Sequence, residues 1–199
     1  MDLPAEDPTA TFENHADIVA ATIDAETDEE PVLVGHSLAG LTIPLAAARR
    51  SVRSLVFLCA LLPVPGKSLV EQLASEPEMV LPDYVKGLSE PDAQNRTRWI
   101  DFEIARDSLY PDCDPADGRA AFDRLRPQGR AGYAEPCPLT ALPDVATTYV
   151  CCTEDALVNP AWGKAAPRKR LGVDPVLLPG GHFPLLSRPA DVADILNRL

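Results

Sequence analysis

No lysine or arginine precedes Arg49 in this 199-residue chain, aromatic residues make up only 6%, and histidine occurs three times. Basic residues total 18 against 30 acidic ones, a formal net charge of −12. A surface of that sign repels phosphate backbones and anionic lipid headgroups, so nucleic acid and membrane are not expected as partners. No stretch approaches the roughly 18–20 apolar residues of a bilayer span. The longest, Leu55–Leu62, has the length of a strand and stops at Pro63. The acidic N-terminus lacks the basic segment of a secretory leader. Five cysteines (Cys59, Cys113, Cys137, Cys151, Cys152) are odd in number and lack C-x-x-C spacing, which gives neither a disulfide framework nor a metal-ligand set. Cys151 and Cys152 are neighbours on one predicted strand and face opposite ways. A reduced, cytoplasmic setting without metal or cofactor is the expectation. There is no internal repeat or low-complexity tract.

What the chain does have is Val32-Leu33-Val34-Gly35-His36-Ser37-Leu38-Ala39-Gly40, an apolar strand running into a turn of small residues with a serine at its apex. This is the sequence form of a nucleophile elbow, G-x-S-x-A followed by glycine, which pushes a serine hydroxyl out over the edge of a sheet. A serine hydroxyl is a weak nucleophile until a general base takes its proton and a third group orients that base. Among the histidines, His36 shares the tight turn with Ser37, and His15 is assigned to a polar helix face. His182 follows an apolar strand in Leu-Leu-Pro-Gly-Gly-His, where an open α/β sheet would carry a catalytic base. The run Thr147–Cys152 ends at Thr153-Glu154-Asp155, so either carboxylate can orient the imidazole. Asp155 is preferred because it lies deeper in the loop and has the shorter, stiffer side chain. The order serine, acid, histidine is that of the α/β-hydrolases.

These residues resemble the α/β-hydrolase branch that holds the plant-type methyl esterases, the hydroxynitrile lyases and many small bacterial hydrolases. The match is carried by Val34–Gly40, by Cys152–Asp155 with Pro160 and Trp162, and by Gly180-Gly181-His182; it runs the length of the chain and is weakest between residues 63 and 143. The resemblance implies that the second residue of the acid pair, Asp155, is the triad acid. It also implies several strands before the elbow, one ending in a His-Gly loop that donates an N–H to the oxyanion. No His-Gly pair lies in the 31 residues before the elbow strand, and Asp2-Leu3-Pro4 reads as the tail of such a strand. The expectation is a chain that begins inside the fold, N-terminally truncated, with the Leu38 N–H as the remaining oxyanion donor. Its elbow strand then becomes an apolar sheet edge open to a second copy in a homodimer. A degenerate, weakly active or non-catalytic homologue binding a ligand or protein partner is the alternative reading.

The expected fold class is α/β: a parallel-sheet core over residues 1–62 and 144–199, with a helical cap or lid, 63–143, inserted between core strands. Thr11 caps a helix over Phe12–Glu26 with Phe12, Ala16, Val19, Ala20 and Ile23 on one face. Further helices are expected over Leu38–Arg50, bent at Pro44, over Asp92–Tyr110, and from Pro115 to about Arg126. Strands are expected at Ser54–Ala60, Thr147–Cys152 and Pro175–Leu178, and helices at Pro160–Leu171 and Pro189–Leu199. In the insertion, Tyr84, Trp99, Phe102, Leu109 and Tyr110 are candidates for an apolar roof. His36, Trp99, Tyr110 and Cys113 are the candidate pocket residues. The predicted activity is cleavage of a small, largely apolar ester or thioester by Ser37, His182 and Asp155. A lyase of the resembling group uses an extra cap lysine, and neither Lys67 nor Lys86 sits in a motif for one.

Overall fold

The computed structural model describes residues 1–199. Its first half contains α1 (Phe12–Glu26), β1 (Val32–His36), a 3₁₀ turn over Ser37–Leu41, α2 (Ile43–Ala47), β2 (Ser54–Leu58) and α3 (Leu69–Ser75). There follow β3 (Arg96–Thr97), α4 (Phe102–Leu109), α5 (Pro115–Phe122) and β4 (Gln128–Gly129). The chain closes with β5 (Ala146–Cys152), α6 (Pro160–Arg170), β6 (Val176–Leu178), α7 (Pro184–Ser187) and α8 (Pro189–Leu196). Four strands form one parallel sheet in the order β1-β2-β5-β6. All five residues of β2 are buried. Alternate side chains enter opposite layers: Leu55 and Phe57 join Tyr149 and Cys151 in the larger core, while Val56 and Leu58 join Val150 and Cys152 in the smaller. The two adjacent cysteines of β5 therefore face opposite layers. β1 is an edge of the sheet, and its Val34 is 39% exposed.

Helix α1 starts where the sequence places it, with a capping box in which Thr11 and Asn14 each bond the other's backbone N–H. Its inner face, Ala16, Val19 and Ala20, packs into the core beside α2. His15 corrects the polar-face assignment: it is 9% exposed, its Nε2 has no hydrogen-bond partner, and burial lowers its pKa. Two helix expectations also change. The segment after Ser37 is a 3₁₀ turn followed by a short helix, and Pro44 falls in that helix's first turn, where a missing N–H leaves no bond unmade and causes no bend. Residues 92–101 are not helical. Asp92 Oδ1 accepts the N–H groups of Gln94 and Arg96, Asn95 takes φ 57°, and the helix begins only after Asp101, whose side chain caps Ile104.

Strand β2 ends at Leu58 because Cys59 adopts φ 46° and turns the chain back under the Ser37 turn. There the Leu61 N–H donates to the Ser37 carbonyl at 3.0 Å. Gly40 lies directly against this loop: a Cβ on it would sit 2.1 Å from the Leu61 carbonyl oxygen and 2.9 Å from Ala60 Cβ. The loop is itself tied down by the Tyr149 hydroxyl, which donates to the Ala60 carbonyl at 2.8 Å. Glycine is thus required at position 40 by close approach, whereas the elbow tolerates Ala39. Gly40→Ala is expected to cost about 3 kcal/mol of stability or to prevent folding, as overpacking against backbone does. Urea unfolding measures it, and an unchanged midpoint would show that Leu61 does not pin the turn.

Candidate active site

Three strand ends meet above the sheet. Ser37 follows β1 and is held at φ 55°, a left-handed conformation that costs a residue with a side chain about 1–3 kcal/mol. Asp155 stands three residues beyond β5, and His182 stands on the loop after β6. His182 Nε2 is 2.9 Å from Ser37 Oγ, and His182 Nδ1 is 2.8 Å from Asp155 Oδ2. The imidazole is 1% exposed and Asp155 4%, so the Ser-His-Asp series is shielded from water along most of its length. The other carboxylate oxygen, Asp155 Oδ1, accepts the backbone N–H groups of Leu157 at 2.8 Å and Val158 at 2.9 Å. Both oxygens of this buried carboxylate are therefore hydrogen-bonded. Glu154, the alternative acid, is exposed.

The loops that carry Asp155 and His182 are joined. Thr153 N–H donates to the Leu178 carbonyl and Glu154 N–H to that of Gly180. Gly180 has φ 107°, and a Cβ there would lie 2.4 Å from Asp112 Oδ2. Only glycine allows the loop to pass so close to that carboxylate. His36 braces the same loop from the other side. Its Nε2 lies 2.7 Å from the His182 carbonyl, which can only accept, so Nε2 carries the proton. Its ring centroid lies 4.8 Å from that of His182 and 4.6 Å from that of Phe183. Burial, and secondarily the neighbouring His182 ring, push the His36 pKa down to about 3, and the ring is neutral at pH 7. The Leu38 N–H belongs to the first residues of the 3₁₀ turn, whose amides have no partner within the turn.

A cavity of about 280 Å³ opens over Ser37, His36 and His182. Its walls come largely from the 63–143 segment, with Tyr84, Leu88, Trp99, Leu109 and Tyr133 as apolar lining, and Phe183 beside the histidine. Trp99, Tyr84 and Leu109 thus line the cavity. Tyr110 and Cys113 do not line it. The Tyr110 ring is 2% exposed and packs behind Phe183 at 4.9 Å between centroids, and Cys113 lies beside Gly118 and Ser187. Both follow the end of α4, which turns them toward α5 and α7. Phe102 is likewise engaged elsewhere, edge-on to Phe122 at 5.4 Å. Sequence reasoning missed Phe183, adjacent to the histidine and readable for that reason. It also missed Arg98, Arg126, Gln128 and Thr97, which reach the cavity through a two-residue ribbon, β3 with β4, too short to leave a periodic signal. No group of three or more His, Cys, Asp or Glu side chains is arranged to hold a metal.

The profile of the Alpha/beta hydrolase family matches residues 1–195. The chain belongs to that family. It is similar to the alpha/beta hydrolase nvfD of Aspergillus novofumigatus, with 29% identity over 83% of this chain and 68% of the relative. Among solved structures, polyneuridine aldehyde esterase superposes with a TM-score of 0.77 at 20% identity, covering 96% of this chain and 80% of that one. A pyrethroid hydrolase from Sphingobium faniae gives a TM-score of 0.72 at 19% identity, covering 99% and 83%. These two likenesses establish the fold.

Two outcomes are expected from the geometry. Because Ser37 is strained, Ser37→Gly should be about 1 kcal/mol more stable than Ser37→Ala in chemical denaturation; equal stabilities would deny the strain. The His36 pKa of about 3 lies below the ordinary value of 6.5. Between these pH values the unfolded chain binds a proton that the folded chain refuses, so stability is full above 6.5 and falls as pH drops toward 3. Replacing His36 by Asn should flatten that acid limb in thermal melts taken across the range. An unchanged limb would place the titration elsewhere.

Proposed function

We propose that the protein is a serine hydrolase that cleaves a small ester or thioester through an acyl-enzyme. The observation that carries this reading is the continuous hydrogen-bonded series Ser37–His182–Asp155, open at its serine end to a cavity of mixed apolar and polar lining. In this reading Ser37 Oγ attacks the carbonyl carbon while His182 Nε2 takes the hydroxyl proton. The Leu38 N–H donates to the oxyanion of the tetrahedral intermediate. Collapse of that intermediate breaks the bond to the leaving group, which receives the proton from His182. A water then attacks the acyl carbon as its proton passes to the same nitrogen, and collapse of the second tetrahedral intermediate breaks the bond to Ser37 Oγ, which takes that proton from His182 as the acid leaves. Asp155 holds the imidazole with Nδ1–H toward itself, leaving Nε2 free to accept, and stabilises the imidazolium formed in each half-reaction.

The division of labour that supports this mechanism assigns residues 1–62 and 144–199 to the catalytic core and 63–143 to a cap that shapes the substrate pocket. Five free thiols, two of them adjacent on β5, suit a reducing cytoplasm. Neither Lys67 nor Lys86 lines the cavity, which favours hydrolysis over a lyase reaction assisted by a cap lysine. A homologue that only binds ligands would need no reactive hydroxyl, and this separates the two readings. A fluorophosphonate probe at pH 8 should label the wild type on Ser37 and leave Ser37→Ala unlabelled. Asp155→Asn should lower kcat on p-nitrophenyl acetate on the order of 10³–10⁴-fold, since the asparagine favours the wrong imidazole tautomer. A wild type that resists the probe, or an Asp155→Asn enzyme of full activity, would remove the triad mechanism.

A further inference from the structure

The chain is acidic overall, with 30 carboxylate residues, yet no Asp or Glu lines the cavity over Ser37. The charged residues in its wall are two arginines, Arg126 and the exposed Arg98. Arg126 is already committed. It donates to Asp2 at 2.7 Å and to the Leu3 carbonyl at 3.0 Å, and it pairs with Glu6 at 3.1 Å. Arg98 is not. Its main chain is fixed, with the amide on Ser89 Oγ at 3.2 Å and the carbonyl accepting the Ser89 N–H at 2.8 Å, but its guanidinium has no carboxylate within ion-pair distance. A third guanidinium, Arg130, stacks on the cavity-wall residue Tyr133 with 5.8 Å from its central carbon to the ring centroid. The result is a pocket wall without carboxylates that carries one arginine free of an ion pair, on a negative protein.

We propose that Arg98 is a specificity determinant that binds a carboxylate on the substrate, so that the preferred esters or thioesters carry an anionic group remote from the scissile bond. This rests on the serine-hydrolase reading of the same cavity. The guanidinium fork matches a planar carboxylate through two parallel N–H···O bonds, which a lysine cannot reproduce. Adjacent Trp99 and Tyr84, with ring centroids 6.3 Å apart, would cover the apolar body between the carboxylate and the reacting carbonyl.

The test uses the mono-p-nitrophenyl ester of adipic acid and its neutral analogue, in which the distal carboxylate is a carboxamide, with spontaneous hydrolysis subtracted. The wild type should prefer the anionic ester in kcat/KM by about tenfold, as a partly exposed charge-assisted contact provides. Arg98→Gln should erase that ratio and Arg98→Lys should leave it intermediate. Arg53→Gln, which removes the same charge from an exposed arginine outside the cavity, should preserve it. A wild type without preference for the anionic ester, or a ratio unmoved by Arg98→Gln, would overturn the assignment while leaving Ser37-dependent hydrolysis standing. Failure of the fluorophosphonate to label Ser37 would instead overturn the hydrolase reading beneath it.

Discussion

One strained turn organises the molecule. Ser37 is held at a positive φ by contacts on both of its sides: β1 enters from the sheet edge, and the Cys59–Leu62 loop returns beneath it to bond its carbonyl. That return path exists because Cys59 also takes a positive φ and because Gly40 leaves room for the Leu61 carbonyl. Backbone strain persists only where the surroundings over-determine it, and here two loops and a buried tyrosine hydroxyl do so. What the strain achieves is positional: the hydroxyl stands clear of the sheet and within hydrogen-bond reach of an imidazole that belongs to a distant part of the chain.

The second constraint is burial of the groups behind that hydroxyl. Asp155 gives up water almost completely and in exchange accepts two backbone N–H groups and one imidazole N–H. A buried carboxylate with both oxygens engaged has little freedom to rotate, so the imidazole it holds has little freedom too. His36 contributes from the opposite face, as a neutral donor to the His182 main chain. The acid and base loops are also laced to each other through Thr153 and Glu154. Positioning of the imidazole is thereby shared between the loop after β5 and His36 at the end of β1, while the cavity in front is walled by short helices and a two-residue ribbon.

The contrast between those two regions explains how much was legible in the residues alone. Strands β1, β2, β5 and β6 announce themselves as short apolar runs between turn residues, and the Thr11 cap announces α1. With parallel strands fixed, the ends of β1, β5 and β6 are the natural places for Ser37, Asp155 and His182, and the structure brings these three together. The cavity wall followed weaker rules. Tyr110 and Cys113 are chemically suited to a pocket, but the end of α4 turns Tyr110 into the packing behind Phe183 and Cys113 toward Gly118 and Ser187. Arg98 is carried by a two-residue strand pairing that no periodicity reveals. The apparent helix over residues 92–101 failed because the Asp92 side chain competes for the backbone N–H groups that a helix would need. His15 was misplaced because a polar residue beside a tightly packed alanine face is buried by its neighbours, whatever its own preference.

The central claim is that His182 is held by Asp155 in a water-excluded hydrogen bond while its other nitrogen faces Ser37. Proton NMR in water reads that bond directly, because a buried imidazole N–H donated to a carboxylate exchanges slowly and resonates far downfield of the amides. One such resonance, coupled to a histidine nitrogen, is expected to persist in Ser37→Ala and to disappear in Asp155→Ala. A folded protein with no downfield imidazole proton, or one whose signal survives loss of the Asp155 carboxylate, would contradict it.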